Sequence, residues 1–148
     1  MEGFASWLGG QTGLRVKLAE DREIPKAGTV YVAPGDRHLE LAPGNFLKLT
    51  TEPPIASQRP AANALFQSLA RVAGSKAVGV LLTGMGEDGA RGLLKMREAG
   101  AFTIAEDETT SVVYGMPAAA VRMGGASVSL PQDLIAARLT QITAEQSR

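Results

Sequence analysis

The chain has 148 residues, with 15 Lys or Arg and 15 Asp or Glu, so its formal net charge at pH 7 is zero. This balance argues against a nucleic-acid or polybasic membrane surface, and no apolar run approaches the ~18 residues of a membrane span. The lack of cysteine excludes disulfides and a cysteine nucleophile, and the single histidine, His38, excludes a multi-histidine metal site. We expect one domain-sized cytoplasmic protein with no metal, cofactor, nucleic-acid partner or membrane insertion.

The first half of the chain predicts one helix followed by short strands. The helix covers residues 1–8, where apolar residues share one side, and Gly9 and Gly10 are expected to end it. Alternating or β-branched runs predict strands at residues 14–18, 29–33, 38–41 and 46–50. The last two flank a Pro-Gly turn signal, so we expect them to form an antiparallel hairpin.

The second half predicts helices that alternate with buried strands. Predicted helices begin at Pro60 and Pro131, follow the glycine-rich turn of residues 84–89 as far as Gly100, and cover residues 118–123. Predicted strands cover residues 78–82, 102–105 and 127–130. In the last helix, the side chains expected to face inward are Leu134, Ile135, Leu139 and Ile142. Strands joined through one helix pair in parallel with a right-handed crossover. The fold class is therefore α/β, doubly wound, with a mostly parallel sheet and a small antiparallel hairpin.

Residues 77–100 combine a strand, a glycine-rich turn with two acids, and a helix. The strand, residues 78–82, is nearly all apolar, as expected where both faces of a parallel sheet are covered. Asp88 lies where the turn enters the helix. Ligands and chemistry in open α/β sheets gather outside the carboxyl ends of strands, which makes Asp88 the leading candidate for a functional residue.

One interpretation of this turn is nucleotide binding. Residues 84–89 match the pattern G-x-G-x-x-G, and Glu106 follows the next strand, where an acid could bind a ribose. The objection is electrostatic, because Glu87 and Asp88 would face a pyrophosphate. At ~5 Å and an effective dielectric constant of ~20, each such charge pair costs about 3 kcal/mol.

Two further interpretations assign Asp88 a different role. In a Ser-His-Asp site, Asp88 would orient and stabilise a histidine that serves a serine nucleophile, and glycine N–H groups would approach an oxyanion. Alternatively, Asp88 is only the N-cap of the helix that follows it. A site completed within the chain would have to combine Asp88 with His38 and Ser111, and the chain has no G-x-S-x-G nucleophile elbow.

Four segments resemble the C-terminal part of the catalytic domain of the CheB-type chemotaxis protein-glutamate methylesterases. They are VYVAPGDRHLEL (residues 30–41), PPIASQRPAANALFQSLA (53–70), AVGVLLTGMGEDGARGLLKMREAGAFTIAEDE (77–108) and VVYGMPAAAVRMGG (112–125). They occur in family order over nearly the whole chain, and L-T-G-M-G-x-D-G-A is the most specific of the family motifs among them.

The resemblance implies hydrolysis of glutamyl methyl esters, and deamidation of glutamines, on the cytoplasmic domains of methylated chemoreceptors. Asp88 matches the triad aspartate, and the backbone N–H of Met85 matches a proposed oxyanion donor. His38 matches a histidine of the A-P-G-x-x-H motif and not the triad histidine. The family's nucleophilic serine and triad histidine lie in G-x-S-T-G-G and Q-H segments that this chain does not contain.

The resemblance also sets expectations for domain organisation. We expect residues 1–148 to be one partial methylesterase catalytic domain, without the N-terminal strands of the family domain and without a receiver domain. Three explanations stay open: a fragment or a reading frame begun at an internal methionine, one half of a split enzyme whose missing N-terminal half supplies serine and histidine, or a non-catalytic receptor-binding remnant. The first is favoured, because missing strands would leave an open sheet edge. The chain alone is expected to lack esterase activity.

Overall fold

The structure is a computed structural model that describes residues 2–146. Its helices are α1 (Glu2–Thr12), α2 (Ala62–Val72), α3 (Ala90–Glu98), α4 (Met116–Met123) and α5 (Gln132–Gln146), with a 3-10 turn at Gly74–Lys76. Its strands are β1 (Arg15–Leu18), β2 (Thr29–Val32), β3 (His38–Ala42), β4 (Phe46–Thr50), β5 (Val78–Leu81), β6 (Phe102–Glu106) and β7 (Val128–Leu130). The predicted α/β class is confirmed.

The strands form three small sheets. β1 pairs with β2 in parallel, β3 and β4 form the predicted antiparallel hairpin, and β5, β6 and β7 form a parallel sheet in that order. The expected single parallel sheet is therefore divided between two groups of strands within residues 2–146. In the three-stranded sheet, Leu81 pairs with Ala105, which brings the carboxyl ends of β5 and β6 to the same edge.

The main core lies between this sheet and helices α2, α3 and α4. Leu93 and Met96 of α3 are fully buried, and Phe66 of α2 packs into the same cluster. Ile104 of β6 is also fully buried but lies outside this cluster. Helices α2 and α3 approach closely because Gly92 of α3 faces Phe66: a Cβ atom built on Gly92 would lie 2.7 Å from the Phe66 Cβ. The core thereby fixes the beginnings of α2 and α3 beside each other.

Two local predictions were wrong. Helix α1 continues through Gly9 and Gly10 to Thr12, because the left-handed glycine that follows it is Gly13, with φ of 69°. Leu134 is 50% exposed, while the adjacent Ile135 is buried and supplies the inward face at the start of α5. The predicted start of the first helix at Met1 lies outside the described residues.

Burial of the strand at residues 78–82 also differs from the expectation. Gly79 and Leu81 are buried on one face, Val78 and Val80 on the other face are half-buried, and Leu82 is 48% exposed. Within the described residues, β5 pairs only with β6. A strand at the edge of its sheet has fewer neighbours to cover its second face.

Candidate functional site

The candidate site is the turn that joins β5 to α3 at the carboxyl edge of the three-stranded sheet. Gly86 and Gly89 take positive φ angles of 83° and 91°, a region that glycine enters without the Cβ clash of other residues. Gly89 is also tightly packed, since a Cβ there would lie 2.8 Å from Leu81 Cδ1. The glycines let the chain reverse at the strand end and bring Asp88 to the start of α3.

The Asp88 carboxylate caps a helix, but not the helix that it precedes. Its Oδ2 accepts the backbone N–H of Ala62 at 2.8 Å and its Oδ1 accepts that of Asn63 at 3.1 Å. Both donors belong to the first turn of α2, where backbone N–H groups lack partners within the helix. The N-cap position of α2, Ala61, has no side-chain acceptor of its own. Asp88 supplies that acceptor from a distant part of the sequence.

Asn63, in turn, caps the helix α3 that follows Asp88. Its side-chain oxygen Oδ1 accepts the backbone N–H of Gly89 at 3.1 Å and of Gly92 at 2.8 Å, so it caps the first turn of α3. The two helices therefore cap each other: Asp88 caps α2, and Asn63 caps α3. We call these four hydrogen bonds the reciprocal cap.

His38 has a structural role at the same place. It is 1% exposed, its Nδ1 accepts the Ala61 N–H at 3.2 Å, and its Nε2 lies 3.0 Å from the Pro53 carbonyl oxygen. Because Nδ1 accepts, Nε2 is the nitrogen that donates to Pro53. Both ring nitrogens are occupied by the backbone, so the ring is not hydrogen-bonded to Asp88. This agrees with the expectation that His38 is not a triad histidine.

Ser111 does not complete a triad either. Its hydroxyl oxygen is buried and has no hydrogen-bond partner among residues 2–146. The histidine with which it would have to work is engaged elsewhere, because both ring nitrogens of His38 are bonded to backbone groups. The described residues therefore do not assemble a Ser111–His38–Asp88 site.

Met85 lies at the exposed tip of the turn. Its side chain is 83% exposed, and its backbone N–H has no acceptor within residues 2–146. The chain just before it is held firmly: the Gly84 N–H donates to the Val113 carbonyl at 3.0 Å, and the Met116 N–H donates to the Gly84 carbonyl at 2.9 Å. A free N–H on an anchored loop is available to an oxygen atom of a ligand.

Glu106 anchors this loop from inside. It is 3% exposed, and its carboxylate accepts the Thr83 N–H at 2.9 Å and the Thr110 hydroxyl at 2.9 Å. A carboxylate buried on these partners is not accessible to a ribose. The acid that the dinucleotide interpretation requires is therefore committed to holding the loop.

An open cleft of about 370 Å³ adjoins the turn. Asp88, Asn63 and Met85 line it together with Arg91. The loop before α2 also lines it, through Ile55, Ala56 and Gln58. Asp88 is half-buried at this cleft: part of the residue is covered by protein, and part of it faces the cleft. The cleft is thus the concave surface on which the predicted functional residues converge.

Two classes of site are not found in the part of the chain that is described. No helix within residues 2–146 has the length and apolarity needed to cross a membrane. Across the same residues, no group of three or more potential ligand side chains is arranged to hold a metal ion.

Fold and site define an α/β protein whose polar groups converge on a strand-to-helix turn at the carboxyl edge of a parallel sheet. Comparisons with known proteins make this specific. The family model described as CheB methylesterase matches residues 1–139. The chain belongs to the CheB methylesterase family.

Individual relatives agree with this assignment. A protein-glutamate methylesterase/protein-glutamine glutaminase of Paramagnetospirillum magneticum is 48% identical over 142 residues, covering 96% of this chain and 40% of the relative. The protein-glutamate methylesterase FrzG of Myxococcus xanthus is 47% identical over 140 residues, covering 95% and 42%. The crystal structure of the Thermotoga maritima CheB methylesterase catalytic domain matches with a TM-score of 0.91 and 40% identity, covering 95% of this chain and 76% of that one. The chain thus spans about two fifths of these curated relatives.

The sequence pattern proposed Asp88 and the family resemblance proposed Met85, but neither pointed to Asn63. Asn63 stands in the first turn of a helix that begins without a capping side chain, and asparagine is a frequent capping residue. That signal predicts a local cap. It does not indicate that the helix being capped begins 27 positions later, at Ala90.

Proposed function

We propose that this chain forms part of a protein-glutamate methylesterase. The proposed substrates are glutamyl methyl esters on the cytoplasmic domains of chemoreceptors, with glutamine deamidation as a related activity. The observation that carries the proposal is the half-buried Asp88 carboxylate, held at the cleft in a chain of the CheB methylesterase family. The receptor substrate implies a cytoplasmic location.

The proposed reaction has two steps. A serine hydroxyl attacks the ester carbonyl while a histidine takes its proton, and methanol leaves with that proton to give an acyl-enzyme. Water, deprotonated by the same histidine, then attacks the acyl group, which releases the glutamate carboxylate and returns the proton to the serine. The negative oxygen formed at each attack requires a preorganised hydrogen-bond donor.

Asp88 has the capacity to orient that histidine while it caps α2. Each carboxylate oxygen has two lone pairs, and each oxygen of Asp88 uses one for a backbone N–H. The remaining lone pairs can accept an imidazole N–H from the cleft side. The unpaired N–H of Met85 supports its proposed role as oxyanion donor.

We further propose that the serine and the histidine come from polypeptide other than these residues. In residues 2–146, both ring nitrogens of His38 are bonded to the backbone, so this chain offers no free histidine at the site. The cleft is open, and Leu82, directly after β5, is 48% exposed, so a further segment would find both space and apolar surface to cover. Residues 1–148 would then be one partial catalytic domain.

The test is a chimera in which this chain replaces the region that it matches in the Paramagnetospirillum magneticum relative. Release of methanol from methylated receptor is measured for the chimera and for the isolated chain. We expect an active chimera, an inactive isolated chain, and a loss of about 10⁴ in turnover for Asp88→Asn in the chimera. The control is Glu98→Gln, which removes an exposed acid at the other end of α3, outside the cleft, and should keep turnover within about threefold.

Each outcome bears on the proposal. An Asp88→Asn chimera within tenfold of the unmodified chimera would reduce Asp88 to a structural cap. Receptor binding without hydrolysis by the chimera would favour a non-catalytic receptor-binding protein. If the isolated chain is nearly as active as the chimera, this contradicts the proposal that the serine and the histidine come from another polypeptide segment.

A further inference from the structure

We propose that Asn63 is a positioning residue for the Asp88 site. Its side-chain oxygen fixes the turn that carries Asp88 and Met85, so that the carboxylate and the free N–H keep one relative geometry. The inference rests on the proposed function for its catalytic consequence. The positioning itself follows from the reciprocal cap.

The turn has little rigidity of its own. Its glycines lie at residues 84, 86 and 89, and glycine has more backbone conformations available than other residues. Inside the turn, the Ala90 N–H bonds to the Glu87 carbonyl at 3.1 Å. The ion pair between Glu87 and Arg122, at 3.8 Å, joins two exposed side chains and adds little. A single conformation at Asp88 therefore depends on contacts from outside the turn.

The end of the turn that carries Asp88 is held by the first turn of α2, while the beginning of the turn is held by the hydrogen bonds of Gly84 described above. The Asn63 side chain holds the N–H groups of Gly89 and Gly92, and the backbone N–H of the same residue binds Asp88. Asn63 thus joins both ends of a closed ring of hydrogen bonds. Without its side chain, Gly89 loses its acceptor, and the residue before it is free to rotate away from α2.

The surrounding packing makes Asn63 a rigid platform. Gly92 allows α3 to lie against α2, with Asn63 Oδ1 only 3.1 Å from where a Gly92 Cβ would be. On the other side, buried His38 holds the Ala61 N–H, one residue before Asp88 holds that of Ala62. Three successive N–H groups at the start of α2 are thereby fixed, and a fixed donor row is what orients a carboxylate precisely enough for catalysis.

Hydrogen exchange on the full 148-residue chain tests the positioning without any reference to activity. The Asn63 side chain does not touch the Ala62 amide, whose acceptor is Asp88. If Asn63 holds Asp88 in place, Asn63→Ala should lower the hydrogen-exchange protection factor of the Ala62 amide. This loss should be about tenfold greater than the loss at the core amide of Ile104. Asn63→Asp, which keeps an acceptor oxygen of the same shape, should restore it.

The matched control is Ser68→Ala. Ser68 lies on the same helix, is fully buried, and accepts the Leu41 N–H at 2.9 Å, so its removal also costs a backbone partner. It is remote from the reciprocal cap. We expect Ser68→Ala to lower stability without any selective loss of protection at Ala62.

Kinetics of the chimera tests the catalytic consequence. Asn63→Ala should lower kcat by about 10–100-fold with KM changed less than about twofold, because misplacement affects the reacting groups more than substrate binding. Asn63→Asp should recover kcat to within about threefold of the unmodified chimera, and Ser68→Ala should stay within the same range.

The two experiments separate the two proposals. Unchanged protection of Ala62 in Asn63→Ala overturns the positioning role, whatever the activity. An Asn63→Ala chimera with full activity, when Asp88→Asn has lost it, overturns the catalytic consequence. If Asp88→Asn keeps full activity, the proposed function fails, while the exchange result still decides whether Asn63 holds the turn. Loss of kcat that Asn63→Asp does not recover would also count against the proposal.

Discussion

Replacing Asp88 by asparagine should destabilise the chain by about 2 kcal/mol, independently of any activity. The two carboxylate oxygens accept the N–H groups of Ala62 and Asn63 at 2.8 and 3.1 Å. Asparagine offers one oxygen and one NH₂ group, so one helix N–H meets a donor instead of an acceptor. Loss of a cap costs about 0.5–2 kcal/mol, and loss of the negative charge at a helix N-terminus about 0.3–1 kcal/mol more.

Urea unfolding of the full chain, followed by far-ultraviolet circular dichroism, measures this change. In a thermal unfolding experiment on a chain of this size, a loss of 2 kcal/mol corresponds to a fall in Tm of roughly 4–8 °C. Glu87→Gln is the control, because Glu87 is 71% exposed at its side chain and should change stability by less than about 0.5 kcal/mol. An Asp88→Asn chain as stable as the control would refute the assignment of Asp88 as the cap of α2.

Three further changes test the surroundings of the site by the same unfolding experiment. His38→Ala removes the partner of the buried Ala61 N–H and of the Pro53 carbonyl and should cost about 2–4 kcal/mol; a loss smaller than 1 kcal/mol would contradict its structural role. Gly92→Ala should cost about 1–3 kcal/mol through its clash with Phe66, whereas Gly10→Ala, in an open part of α1, should be neutral or stabilising. Glu106→Ala strands the Thr83 N–H and should cost about 2–3 kcal/mol, and no loss would mean that the loop is held by its other contacts.

Much of the fold followed from local patterns. The hairpin of β3 and β4 combines two alternating runs with a Pro-Gly turn between them, and both strands formed within one residue of the predicted bounds. β5 and β6 are separated by one helix, and right-handed crossover made their parallel pairing predictable. These features depend on residues that are neighbours in sequence.

Features that depend on partners from elsewhere were predicted less well. The glycines at 9 and 10 do not end α1, because glycine weakens a helix without forbidding it, and Gly13 ends it instead. At the start of α5, the helical periodicity of apolar residues did not distinguish Leu134 from Ile135. The position of β6 against the helix decides which of the two side chains is buried. The division of the parallel strands into two sheets likewise depends on packing between distant segments.

The site itself illustrates the same limit. A local rule expects an acid before a helix to cap that helix, and the sequence gives Asp88 that position at α3. The close contact of α2 with α3, made possible by Gly92, presents a different set of unpaired N–H groups to Asp88. Local sequence could therefore identify Asp88 as a capping residue, but only the tertiary structure specifies what it caps.

Because Asp88 caps α2 and not its own helix α3, a structural role and a catalytic role for Asp88 are compatible. If Asp88 capped α3, its carboxylate would turn toward its own helix and away from the cleft. Because it caps α2 instead, the carboxylate is bonded to that helix while Asp88 lines the cleft, and each carboxylate oxygen keeps one unused lone pair. The same hydrogen bonds that stabilise α2 would therefore orient the carboxylate toward a histidine in the cleft. A loss of stability in Asp88→Asn is thus expected under both interpretations. Only the turnover of the chimera can separate them, with Ser68→Ala as the reference for a variant that loses stability away from the site.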